Sequence, residues 1–156
     1  MTKYIGELLC EQFNNDFQIP ITILRLFNVY GIGQKNEFIV PYIFNCLNEK
    51  KEIQLNRPFD LRDFVFVNDV CDAIIKVIYK ENTSFKVYNV GSGKLLQIGL
   101  LAEKISNLDG LKYFYKKSQI DRNICADIKA IKNELDWSPK TSIDDGLKIV
   151  HEFYKR

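Results

Sequence analysis

Apolar residues recur at three- and four-residue spacing over residues 2 to 15, where Tyr4, Ile5, Leu8, Leu9 and Phe13 share one side of a predicted helix. Asn14-Asn15-Asp16 closes it. A β-branched and apolar run from Ile19 to Phe27, interrupted by Pro20, then predicts a buried strand at 21–27. The run breaks at Asn28 and enters a loop from Gly31 to Glu37, with Gly31 and Gly33 permitting turns that other residues resist. Phe38 to Leu47 predicts an apolar helix that tolerates Pro41 in its first turn. Ile53-Gln54-Leu55 predicts a short strand, and Asn56 to Leu61, with Pro58, a turn.

Further along, Arg62-Asp-Phe-Val-Phe-Val-Asn-Asp-Val70 joins an apolar strand directly to a helix, with Asn68 or Asp69 placed to cap it. Val70, Ala73, Ile74, Val77 and Ile78 form that helix's apolar stripe. Lys86 to Val90 predicts another strand, ending in Asn89-Val-Gly-Ser-Gly93, and Ile98, Leu101, Ala102 and Ile105 mark the next helix. Lys112 to Tyr115 predicts a strand. Asp127 caps a short helix reaching Leu135, which Trp137-Ser-Pro139 ends, and Ser142 with Asp145 opens the last helix in the form of a capping box. The pattern is mixed α/β without repeats or linkers, and it is not a self-contained doubly wound sheet.

Bulk properties narrow this little. A chain of 156 residues suits one domain with a real core. Its 22 basic and 20 acidic residues argue against a dedicated nucleic-acid surface, and Lys112, Lys116 and Lys117 read as a solvated loop. Cys10, Cys46, Cys71 and Cys125 stand far apart in no metal-ligand spacing, so reduced, buried thiols are expected and no metal site is. No signal-peptide pattern opens the chain and no apolar run approaches the length of a membrane span, so a soluble cytoplasmic protein is expected, without a membrane partner. His151, the sole histidine, lies on the last helix with no evident partner.

Candidate chemistry centres on Arg25-Leu-Phe-Asn-Val-Tyr-Gly-Ile-Gly33. A buried strand ending in a side-chain amide and a glycine-bearing loop is where open α/β sheets place ligands. On spacing alone Asn28 reads equally as a turn residue, Phe27 as core packing, and Arg62 as a surface arginine before an edge strand. Gly91-Ser-Gly93 is followed by leucine at 96, so it does not form a dinucleotide fingerprint.

Thr-Lys-Tyr-x-x-Glu from Thr2, Arg-Leu-Phe-Asn-Val-Tyr-Gly from Arg25, Arg-Asp-Phe-Val-Phe-Val-x-Asp from Arg62, Tyr-Asn-Val-Gly-Ser-Gly from Tyr88, and the Glu-Leu-x-Trp-x-Pro run ending at Pro139 occur in one order. Together they resemble the NAD-dependent epimerase/dehydratase family, the extended short-chain dehydrogenases acting on nucleotide sugars. The likeness runs from Thr2 to about Val150. It implies the C-terminal part of an extended Rossmann-type fold, with the last sheet strands and a small mixed α/β substrate-binding domain. Residues 1–35 would be a remnant of the Rossmann domain, and 36–156 mostly substrate-binding, with segments of 62–90 returning to the sheet.

By that resemblance Lys3 is similar to the lysine that holds the nicotinamide ribose and lowers the pKa of a catalytic tyrosine, as a fixed ammonium does for a neighbouring phenolate. The tyrosine itself would fall before Met1. Phe27 resembles a residue lining the nicotinamide pocket. Asn28 and Arg62 resemble the amide and guanidinium that bind the diphosphate of a UDP- or dTDP-linked sugar, for which a planar guanidinium fork is suited. Lys117 and Asp121 fall where relatives contact the nucleotide, with lysine in place of arginine. Asp69 is expected to cap its helix, not to act as an acid. NAD is implied for the family, but the Gly-rich motif is not in this sequence, so catalysis and NAD binding by this chain alone are not expected. An N-terminal partner half or a homodimer would complete it; a non-catalytic nucleotide-sugar-binding or interaction module is the alternative.

Overall fold

The computed structural model describes residues 2–81, 84–111 and 122–155. The elements in order are α1 (Thr2–Phe17), β1 (Thr22–Leu26), β2 (Asn28–Tyr30), α2 (Ile39–Asn48), β3 (Leu61–Phe66), α3 (Val67–Tyr79), β4 (Lys86–Val90), β5 (Leu95–Gln97), α4 (Ile98–Leu108), β6 (Asn123–Ile124), α5 (Lys129–Leu135) and α6 (Ile143–Tyr154). The strand expected at 112–115 and the Lys112, Lys116 and Lys117 cluster lie outside the described residues.

The run read as one buried strand at 21–27 is two strands serving two sheets. β1 pairs parallel with β4, Thr22 opposite Lys86 and Leu26 opposite Val90. β2 pairs parallel with β3, Asn28 opposite Phe64 and Tyr30 opposite Phe66. The change occurs at Phe27, whose N–H still donates to Val90 O at 3.0 Å while its own carbonyl accepts from Val29 N–H at 2.9 Å. β1 is also only half-buried, with Arg25 and Leu26 exposed.

β3 is the centre of the second sheet, flanked by β2, by antiparallel β5 and by parallel β6. Successive strand residues face opposite ways. Phe64 and Phe66 therefore enter one core, with Tyr30, Phe44, Leu101, Ile105 and Leu147, whereas Val65 enters a second with Val90, Ile131 and Trp137. Gly146 lets α6 cross close to the first core, because a Cβ there would collide with the Tyr30 hydroxyl.

Three local expectations change. Ile53–Leu55 is not a strand: the Tyr42 hydroxyl accepts from Gln54 N–H and donates to Gln54 O, both at 3.2 Å, and so takes the groups a ladder would need. Asp69 is no cap for α3. Its carboxylate accepts from the main-chain N–H groups of Lys140 and Thr141, each at 3.1 Å, and its carbonyl from Trp137 Nε1 at 3.1 Å, fastening the 137–141 corner to the helix. The cysteines are free, but only Cys46 is buried, while Cys71 and Cys125 are exposed. Of the caps expected at the other end, Ser142 is present, its Oγ accepting from Asp145 N–H at 3.1 Å. α5 instead has Ile128 at its N-cap without a side-chain bond, and Asp127 Oδ1 reaches Lys129 N–H at 3.0 Å from one residue before it. His151 has a partner after all, Asp109, at 2.8 Å. Among the described residues no helix is long and apolar enough to cross a membrane.

Candidate nucleotide-sugar cleft

The carboxyl end of β1 and the adjoining strands β2 and β3 open into a cleft of about 410 Å³, whose walls include Phe27, Asn28, Gln34, Arg62, Phe64 and Ile98. Register explains the grouping. Asn28 lies opposite Phe64, and Arg62, two residues earlier on β3, shares Phe64's face. Phe27 and the adjacent Asn28 thus meet Arg62, which is distant in sequence, in one place.

The neighbouring residue on β3 faces the other way and does a different job. Asp63 is fully buried, and its carboxylate accepts from Ser92 N–H and Ser92 Oγ, both at 2.6 Å, from Gly93 N–H at 2.9 Å and from Ala126 N–H at 3.0 Å. A carboxylate surrounded by main-chain donors fixes the turn after β4 and the segment after β6 to the central strand. Gly91 is required there, because a Cβ would stand 2.8 Å from Asp63 Oδ2 and 2.5 Å from Ala126 Cβ.

Arg62 is mostly buried, its side chain 17% exposed, and is held from behind. Its Nη2 donates to Asp60 Oδ2 at 2.6 Å and its Nη1 to Leu61 O at 3.0 Å. A guanidinium has five N–H donors, so others remain for a ligand. Arg62, Ile39 and Ile98 also border a second cleft of about 660 Å³, which continues past Tyr42, Gln54, Asn56 and Asp60. Arg62 therefore stands at the partition of a two-part groove, mainly apolar with two amides on one side and mixed polar and apolar on the other.

Asn28 Nδ2 donates to Asp63 O at 2.8 Å, leaving its other amide hydrogen and Oδ1 without partners among the described residues. Lys3 is exposed on α1 and lines neither cleft. Of the two residues assigned to NAD by resemblance, Phe27 lines the groove and Lys3 does not. Lys117 and Asp121 lie outside the described residues. Sequence reading missed Asp60, Asp63 and Tyr42. Strand alternation could have set Asp63 against Arg62, but no local pattern marks the other two.

A further cleft of about 390 Å³ at Lys80, Lys86, Tyr88 and Glu134 lies at the amino ends of β1 and β4. Open α/β sheets bind ligands at their carboxyl ends, which favours the Arg62 groove. Tyr88 there donates to Glu134 at 2.8 Å; burial, then that carboxylate, pushes its phenol up to about 12. Glu134 is held below the usual carboxylate range by Lys86 at 2.7 Å and by Tyr88. α1 is tied to β1 by a two-pronged pair, with Arg25 Nε on Glu7 Oε1 at 2.9 Å and Nη2 on Oε2 at 2.5 Å.

Residues 1–91 match the NAD dependent epimerase/dehydratase family. The chain belongs to that family. Among its relatives, the protein described as uncharacterized UDP-glucose epimerase YtcB of Bacillus subtilis is 31% identical over 152 residues, 94% of this chain and 48% of that protein. The dTDP-L-rhamnose 4-epimerase of Burkholderia thailandensis is 30% identical over 159 residues, 94% of this chain and 43% of its own length. The UDP-glucuronic acid 4-epimerase of Bacillus cereus, solved with UDP-glucuronic acid and NAD, superposes with a TM-score of 0.83 at 30% identity, covering 99% of this chain and 51% of that one. This family member thus spans about half the length of the relatives it matches, and its α/β fold is that of the corresponding half of their Rossmann-like structures.

Proposed function

We propose that this chain forms the nucleotide-sugar side of an epimerase/dehydratase cleft. The observation that carries the reading is the place of Arg62 between two clefts, because a diphosphate is the group that joins the two dissimilar ends of a nucleotide sugar. Arg62 grips the diphosphate with its free N–H groups, and Asn28 donates to it from the adjacent strand. The sugar lies toward Phe27 and Phe64. The nucleoside lies toward Gln54 and Asn56. Solved relatives with UDP-sugars and NAD support the substrate class.

The described groove fits the nucleotide sugar better than it fits NAD, since it gathers Asn28 and Arg62 but only Phe27 of the two NAD-assigned residues. NAD supplies hydride transfer in this family. These residues contribute binding and orientation, and Lys3 would act only beside a tyrosine that this sequence does not place. The chain spans about half the length of its relatives, and the rest of the catalytic machinery is assigned here to the half that it does not cover. The uncovered apolar side of α1, with Tyr4, Leu8, Leu9 and Phe13 all exposed, supports a partner half or a second copy seated there.

Calorimetric titration of the purified chain with UDP-glucose, dTDP-glucose and NAD tests the reading. Binding of a sugar nucleotide, without measurable NAD binding, is the expected result. NAD binding with no response to either sugar nucleotide would overturn it.

A further inference from the structure

The turn after β4, α5 and the start of α6 border a cavity of about 570 Å³ apart from the Arg62 groove. Phe64 is the only described residue that it shares with the two clefts around Arg62. Small-molecule sites of this size combine apolar walls with a few polar groups. The lining has that make-up. Leu95, Leu96, Ile128, Pro139 and Ile143 join Phe64 as its apolar part, and Lys94, Lys132, Ser138 and Thr141 supply polar groups from three separate segments.

Two buried carboxylates fix these walls in advance. Asp63 accepts from Ser92 N–H and Gly93 N–H, directly before Lys94, and Asp69 accepts from Lys140 N–H and Thr141 N–H. A wall already fixed costs little ordering when a ligand arrives.

The charges of the lining are unbalanced. Lys140 is paired with Asp72 at 2.9 Å, and Asp144, the only carboxylate in the lining, is paired with Lys104 at 2.7 Å. The ammonium groups of Lys94 and Lys132 have no partner among the described residues, nor do the hydroxyls of Ser138 and Thr141. Two free cations and two free hydroxyls thus line the cavity with no free anion. An ammonium binds phosphate as a point charge, and the three terminal oxygens of a phosphoryl group use more such donors than the two of a carboxylate.

We propose that this cavity is a second ligand site, for a small phosphate ester with an apolar or aromatic body. Its phosphoryl group sits on Lys94 and Lys132, and its body rests against Leu96, Ile128 and Ile143. The site is independent of what the Arg62 groove binds.

Nitrogen-15 NMR titrations of the full chain with phenyl phosphate and with inorganic phosphate test this. Phenyl phosphate shifts the backbone amides of Leu96, Ile128 and Thr141 saturably. It binds at least about 5-fold more tightly than inorganic phosphate, the scale of partly burying a phenyl ring. Lys94 and Lys132 are exposed, so the double variant Lys94→Gln, Lys132→Gln keeps the fold. It weakens phenyl phosphate by about 10-fold or more, the scale of bonds to a charged group. No saturable shift at those three amides, or shifts confined to the Arg62 groove, overturns the proposal. An affinity that the double variant leaves unchanged overturns it too, and so does equal binding of the two phosphates.

Discussion

The side-chain amide of Asn28 donates to the main-chain carbonyl of Asp63 at 2.8 Å, spanning from β2 to β3 beside the ladder that already joins them. The bond fixes the amide of a residue that lines the cleft, and it ties one candidate ligand residue to the strand that carries the other. Asn28→Asp sets two acceptors against each other. It should destabilise the chain by roughly 1–3 kcal/mol in urea unfolding and weaken UDP-glucose binding, more on both counts than Asn28→Ala. Equal effects of the two variants would mean that the amide has no orienting role.

Asp63 holds three main-chain N–H groups and a hydroxyl with one buried carboxylate. Asp63→Ala leaves those donors unmatched in the interior. A loss of roughly 3–5 kcal/mol is expected in equilibrium unfolding, and a loss below about 1 kcal/mol would show that water replaces the carboxylate freely.

The phenol of Tyr88 is held protonated in the folded chain, up to about 12, by burial and by Glu134. Its proton is bound more tightly folded than unfolded, so the stability this contributes is complete below about pH 10, the ordinary tyrosine value. It is lost as pH rises from there to about 12. Tyr88→Phe should therefore make the decline of stability over that window shallower than in the unaltered chain. Parallel declines, measured by urea unfolding at successive pH values, would remove Tyr88 from the account.

No residue of α1 is buried. A lone helix of this length is marginal without a packed face, so its amides should exchange with solvent far faster than those of β4. Added amino-terminal half of a family relative should slow them. Protection of α1 equal to that of β4 in the dilute, unpartnered chain would contradict the proposed docking face.

Much of this architecture was legible because long periodic runs carry their own evidence. The stripe through Val70, Ala73 and Val77, the one through Leu101 and Ile105, and the Ser142 box each fix a helix by local chemistry. The misses involve partners distant in sequence. Nothing near Ile53 tells that the Tyr42 hydroxyl takes the backbone of Gln54, and nothing near Asp69 shows the Lys140 and Thr141 amides arriving from the far end of the chain. β5 has only three residues and carries no readable period. In the groove, Phe27, Asn28 and Arg62 came from motif resemblance, and β2–β3 register explains why they meet. Asp60 carries no such pattern, and only the fold shows it behind Arg62 as its ion-pair partner.

The most direct test of the central claim is a nitrogen-15 NMR titration of the chain with UDP-glucose. The groove assignment predicts that the Asn28 side-chain amide, Arg62 Nε and the backbone amides of Gln54 and Ile98 shift together and saturably. Shifts confined to the cleft at Lys80, Lys86 and Tyr88, or no saturable shifts at all, would contradict it.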